Sequence, residues 1–185
     1  MTIIFYIASI VTANIVTAKL GGLALFGGAL IVPAGSLVVG LTFMLRDFVQ
    51  LKHGRRGAYA AIALALVLSA VMGLVLGDTV HIAAASALAF FMSEAIDTEI
   101  FTRLRRSLLQ RIAVSGLVGG VVDSSIFVVA GLSPWGAGLI GWEQVLPAIA
   151  GQITAKTLTQ IVAVTILKYT PQKQTKESLK ICEFY

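Results

Sequence analysis

Long apolar stretches broken by short charged segments constrain this chain more than any other feature. One helical membrane crossing needs about 20 predominantly apolar residues. Such stretches fall at about 2–18, 26–45, 58–76, 80–101, 109–132 and 145–167. In 185 residues they leave no room for a separate soluble domain. Only 12% of the residues are charged while 57% are hydrophobic, against roughly 25% charged in an ordinary soluble domain. Too few polar groups are present to face water all round, so lipid must solvate much of the surface. The expected architecture is all-α: a polytopic bundle of six transmembrane helices over residues 1–168, followed by a polar cytoplasmic tail at 169–185. The first stretch lacks a basic flank and a convincing cleavage site, and reads as a span, not a signal peptide.

The basic residues set the expected orientation. Arg46, Lys52, Arg55 and Arg56 lie between the second and third stretches, Arg103, Arg105, Arg106 and Arg111 between the fourth and fifth, and Lys168, Lys173, Lys176 and Lys180 after the last. The alternate loops carry only Lys19, or the acids Asp78 and Glu143. Cytoplasmic loops are the ones enriched in Lys and Arg, so an even number of spans with both termini inside satisfies every loop. The net charge of +5 is thereby assigned to the anionic leaflet and not to nucleic acid. Trp135 and Trp142 flank the last outer loop, where interfacial indoles belong. The single cysteine, Cys182, sits in the tail with no disulfide partner, and nothing in the sequence calls for a metal or cofactor.

Polar residues inside the apolar stretches carry the chemistry. Glu94 and Asp97 are three residues apart and share a helix face with Phe90 and Phe101 on or beside it. An ionised acid at mid-bilayer costs about 2.5–3.5 kcal/mol on insertion scales, so such residues turn inward or toward a partner. The bland alternative pairs them with Arg103 or Arg105 at the interface. Asp123 lies in an otherwise uncharged run, on a face with Gly116, Gly119 and Gly120 that permits close helix approach. Gln152, Lys156 and Gln160 recur every four residues and form one polar stripe. Lys156 is too central to snorkel and must pair with an acid or a ligand, Asp123 being the first candidate; a purely structural pair is the competing reading. Asn14 adds a neutral amide from the first span. Phe90, Phe101 and Phe127 are candidates for stacking on a planar ligand. Asp47, beside Arg46 at the end of the second span, is a candidate gate or a local ion pair.

These residues also fall in stretches that resemble a known family. Val32-Pro33-Ala34-Gly35-Ser36-Leu37, Leu41-Thr42-Phe43-Met44-Leu45-Arg46-Asp47, Ser93-Glu94-Ala95-Ile96-Asp97, Val121-Val122-Asp123-Ser124-Ser125-Ile126-Phe127 and the segment from Gly151-Gln152 to Lys156 are similar to the VUT family of queuosine-precursor transporters, especially its shorter bacterial members. Asn14 matches the asparagine of that family's first span. The resemblance implies a multi-pass protein of the inner (plasma) membrane that imports a 7-deazaguanine such as 7-cyano-7-deazaguanine, with Asn14, Glu94, Asp97, Asp123, Gln152 and Lys156 around the substrate. Many members carry a glutamate four residues after the aspartate that corresponds to Asp47; here that position is Leu51, so a gating role rests on Asp47 without it.

The expected partners are a small-molecule substrate and the lipid bilayer, with association between copies of the chain left open. A second reading is the substrate-binding subunit of an energy-coupling vitamin transporter, which would need a separate ATPase. An intramembrane enzyme is the remote alternative: Asp97 and Asp123 lack an aspartyl-protease context, and His53 and His81 both sit at span ends.

Overall fold

The computed structural model describes residues 1–25 and 30–169. Among the described residues the apolar stretches become five helices: α1 (Thr2–Leu20), α2 (Ser36–Leu76), α3 (Val80–Arg103), α4 (Leu108–Ile126) and α5 (Trp142–Tyr169). A π-helical turn, Phe127–Leu132, extends α4. Among the described residues, four segments are long and apolar enough to cross a membrane: α1, α2, α3, and α4 with its extension. The polar stripe of Gln152, Lys156 and Gln160 lies on α5, which is not among the four.

Helix α2 runs for 41 residues, or about 60 Å at 1.5 Å per residue, twice the roughly 30 Å thickness of a bilayer core. It is broken inside. Gly54 has φ 70° and ψ −179°, a conformation that L side chains avoid and glycine adopts freely. Lys52, His53, Arg55 and Arg56 flank this break. Two helical halves, 36–53 and 55–76, therefore meet at a basic corner.

The all-α expectation has one exception. Gly22–Leu25 (β1) pairs antiparallel with Leu30–Pro33 (β2), Gly22 opposite Pro33. Helix α2 thus starts at Ser36, where the hydrophobic pattern placed a span from about residue 26. The local reason is chemical: Ile31 and Val32 are β-branched and favour strand, and Pro33 disfavours helix in the residue before it. Residues 26–29 of the glycine-rich stretch lie outside the described residues. So does the tail from residue 170, with Cys182.

Caps fix two helix starts. The Thr79 hydroxyl accepts from the Ile82 N–H at 3.3 Å, and Ser107 with Gln110 forms a reciprocal capping box, both satisfying amides that a helix leaves unpaired. Tyr6 and Ile10 pack on Val49, Ala61 and Ala65, joining α1 to both halves of α2. Leu51, Phe101, Leu108 and Ile112 join α2, α3 and α4 at the end that carries the basic segments. Small residues set the closest approaches: a Cβ on Gly40 would stand 2.6 Å from the Lys156 carbonyl oxygen, and one on Gly119 would stand 3.2 Å from the Asp97 Cβ. Large apolar side chains such as Phe5, Val67, Leu146 and Ile166 are exposed on the outside, as a lipid-facing surface requires.

Candidate functional site

A cavity of about 710 Å³ opens among all five helices, within the roughly 300–1,000 Å³ of small-molecule sites. Its rim includes Gly21, Gly77, Asp78 and Leu139, so it faces the end of the bundle opposite the basic segments around Arg55 and Arg103. Partial desolvation pushes the Asp78 carboxyl above its ordinary range.

Four of the six polar residues singled out in the sequence line this cavity: Asn14, Asp123, Gln152 and Lys156. Phe90 and Phe127 line it as well. Lys156, 3% exposed, does pair with Asp123, at 2.5 Å from Nζ to Oδ2. The same ammonium donates to Ser124 Oγ at 2.9 Å and to Gln152 Oε1 at 3.3 Å. Its three donors are thereby committed. Gln152 is 1% exposed, and its Nε2 has no hydrogen-bond partner among the described residues. The Asn14 Nδ2 donates to the Ile10 carbonyl and to Ser69 Oγ, each at 3.1 Å, linking α1 to the second half of α2.

Glu94 and Asp97 do not line the cavity. They form a second centre with Arg46, and all three are 0% exposed. The Arg46 Nε donates to Glu94 Oε2 at 3.0 Å, and Nη1 donates to Gln50 Oε1 at 3.0 Å and to Thr98 Oγ1 at 3.2 Å. Arg46 also pairs with Asp97 through Nη2, and with Asp47 Oδ1 at 3.1 Å. Among the described residues, Oδ2 of Asp47, Oδ1 of Asp97 and Oε1 of Glu94 accept no hydrogen bond. The sequence pattern treated Arg46 as an interfacial residue at a span end; it is the hub of this buried centre. Phe101 lies elsewhere, packed on Leu108 and Ile112, with the Arg111 guanidinium 4.1 Å from its ring centroid.

The two centres are stacked. On α1, α2, α3, α4 and α5 the deepest cavity-lining residues include Ile10, Thr42, Phe90, Asp123 and Lys156. Four residues further toward the basic end stand Tyr6, Arg46, Glu94, Gly119 and Gln160, all buried. A spacing of four is about one helical turn. One closed layer therefore lies directly beneath the cavity, with Arg46 across it. Toward the basic end, Glu99 pairs with Arg55 and, at 3.0 Å, with Arg103. That is the interfacial arrangement considered for Glu94 and Asp97, taken up by their neighbour.

The signals for the missed residues were present but weak. Arg46 and Gln50 are one turn apart, and Tyr6 puts a hydroxyl inside the first apolar stretch.

A protein-family model described as "Putative vitamin uptake transporter" matches residues 71–170, more than half of the 185-residue chain. No curated protein and no solved structure matches the chain.

Proposed function

The chain belongs to the vitamin uptake transporter family, and from that premise we propose that it imports 7-cyano-7-deazaguanine or a related 7-deazapurine through the cavity between its helices. One observation carries the substrate class. The Asp123 carboxylate and the Gln152 amide both line the cavity and share the Lys156 ammonium, and the amide's Nε2 has no hydrogen-bond partner among the described residues. A guanine-like edge offers N–H donors beside a carbonyl acceptor. Asp123 would accept from the donors, and Gln152 Nε2 would donate to the carbonyl. A buried donor without a partner is costly, so a ligand that supplies the acceptor is favoured over one that cannot. Phe90 and Phe127 supply apolar faces for a planar ring. Lys156 holds Asp123 and Gln152 in position and has no donor to spare.

In this reading Glu94 and Asp97 serve the substrate's path and not its binding, because they lie one turn below the cavity. The membrane path is six crossings, with α2 crossing twice about Gly54, and both termini are cytoplasmic. The length of α2, the glycine break and the cations around it support that count. The cavity then faces the outside, in a state ready to receive substrate. Family membership argues against the enzyme reading.

The test is rescue of tRNA queuosine in a strain that lacks both synthesis and import of the precursor. The unmutated chain is expected to rescue, and Asp123→Asn is expected to lose rescue while still reaching the membrane. If the unmutated chain is present in the membrane and does not rescue, the substrate is wrong. If Asp123→Asn rescues fully, the site is wrong.

A further inference from the structure

The Arg46 centre holds more acid than base. Asp47, Glu94 and Asp97 surround a single guanidinium, and all four residues are 0% exposed. Charged groups face it from several helices: Arg46 and Asp47 from α2, Glu94 and Asp97 from α3, and Asp123 and Arg111 from α4. Lys156 on α5 is committed to Asp123. Arg111 is partly buried and donates its Nε to the Phe101 carbonyl at 2.9 Å. Even with Arg111 credited to the centre, one acid is left over. An uncompensated carboxylate in so dry a place is strongly disfavoured. From α1, the Tyr6 hydroxyl, on a residue that is 0% exposed, stands beside Glu94 and has no hydrogen-bond partner by distance and angle among the described residues.

We propose that this centre is a proton-binding site, and that the chain is a proton symporter. The proposal rests on the import reading above. A proton is the ligand that balances the surplus without needing space. A proton entering through the cavity meets Asp123 first and the Glu94 layer one turn below. It forms an O–H bond on a carboxylate of the centre and leaves to cytoplasmic water when the layer opens; nothing is oxidised or reduced. Neutralising one carboxylate weakens its tie to Arg46, which joins α2 to α3 through Glu94, Asp97 and Thr98. Closure of the layer is thus linked to the absence of the proton.

The test uses the full chain in proteoliposomes with radiolabelled 7-cyano-7-deazaguanine. Counterflow with no ion gradient reports the import reading alone. An inward gradient of about one pH unit, with the membrane potential clamped at zero, allows up to about tenfold accumulation for one proton per substrate. The expected result is accumulation approaching that limit, lost on adding a protonophore. Counterflow without such accumulation would overturn the proposal, as would accumulation driven by a sodium gradient instead. Absence of counterflow would overturn the import reading, and the proposal with it. Asp47→Asn is expected to lower gradient-driven accumulation by a larger factor than it lowers counterflow. Equal falls in both would mark the centre as structural and overturn the assignment.

Discussion

Lys156→Met removes one charge from a pair that the bundle holds almost out of water. The side chains are 4% exposed for Lys156 and 17% for Asp123. Methionine is of similar length, so the loss is chiefly the charge and three donated hydrogen bonds, to Asp123, Ser124 and Gln152. Breaking a buried pair by removing one partner costs about 3–5 kcal/mol, because the remaining ion stays uncompensated. The cavity lets water reach Asp123, so the lower end, about 3 kcal/mol, is the expected cost. At about 2–4 °C per kcal/mol for a chain of this size, the apparent melting temperature falls by roughly 6–12 °C.

The partner substitution, Asp123→Leu, is expected to cost a similar amount for the same reason. The double variant is not. Replacing both members of a buried pair with apolar groups is often neutral, and about 1 kcal/mol or less is expected here. The cycle should therefore return a coupling of several kcal/mol, above the roughly 0.5 kcal/mol within which independent sites add. The assay is thermal melting of the purified protein in lipid nanodiscs at one ionic strength, with uptake measured in parallel. A double variant whose loss equals the sum of the two singles would refute the claim that Asp123 is what holds Lys156 in the bundle. A double variant that regains both stability and uptake would refute Asp123 as a substrate contact, since no carboxylate would then be left to read the ligand.

Three further outcomes follow from the same geometry. Gln152→Leu keeps volume but deletes the Nε2 donor, which has no partner among the described residues, and the long Oε1 contact to Lys156; uptake should fall by about 5- to 150-fold, as expected for a lost buried hydrogen bond of about 1–3 kcal/mol, with a smaller fall in melting than Lys156→Met gives. Gly40→Leu puts a side chain where even a Cβ would stand 2.6 Å from the Lys156 carbonyl; overpacking of about 1–3 kcal/mol should appear as lower melting and lower yield. Partial desolvation at the cavity rim holds Asp78 above the usual carboxylate range, so the folded chain binds that proton more tightly than the unfolded one. Its contribution to stability is full in acid and is lost as pH rises through the raised value, so Asp78→Asn should flatten the fall in melting temperature just above about pH 4.

Much of the bundle was legible in the sequence because membrane solvation makes a blunt pattern. Apolar length and basic punctuation marked the helical stretches. The Lys156–Asp123 pair was legible too, since a lysine so far from a helix end has few alternatives. The hairpin was not: Leu30-Ile31-Val32 is as apolar as a helix start, and only the β-branching and Pro33 argue otherwise. Arg46 was not legible for a subtler reason. It stands at the end of an apolar run beside Asp47, and sequence cannot separate a residue that leaves the bilayer from one that turns into the bundle. Its partners Glu94, Asp97 and Thr98 lie 48 to 52 residues away, and helix periodicity says nothing about which faces meet.

The contrast between the two charge centres bears most directly on how the chain works. Lys156 and Asp123 are matched one to one, and every donor on the ammonium is used. Such a pair needs no further ligand to persist, and it can hold one carboxylate ready at the cavity wall. The centre one turn below is unmatched, with three carboxylates on one guanidinium and three carboxylate oxygens, Asp47 Oδ2, Asp97 Oδ1 and Glu94 Oε1, that accept no hydrogen bond among the described residues. If α2 and α3 needed only to be held together, apolar packing or a single matched pair would do so at lower cost. Surplus acid in a dry layer stabilises nothing by itself. It becomes intelligible when the layer must take up and give up a positive charge, and its position directly under the cavity puts that exchange on the route a substrate has to follow.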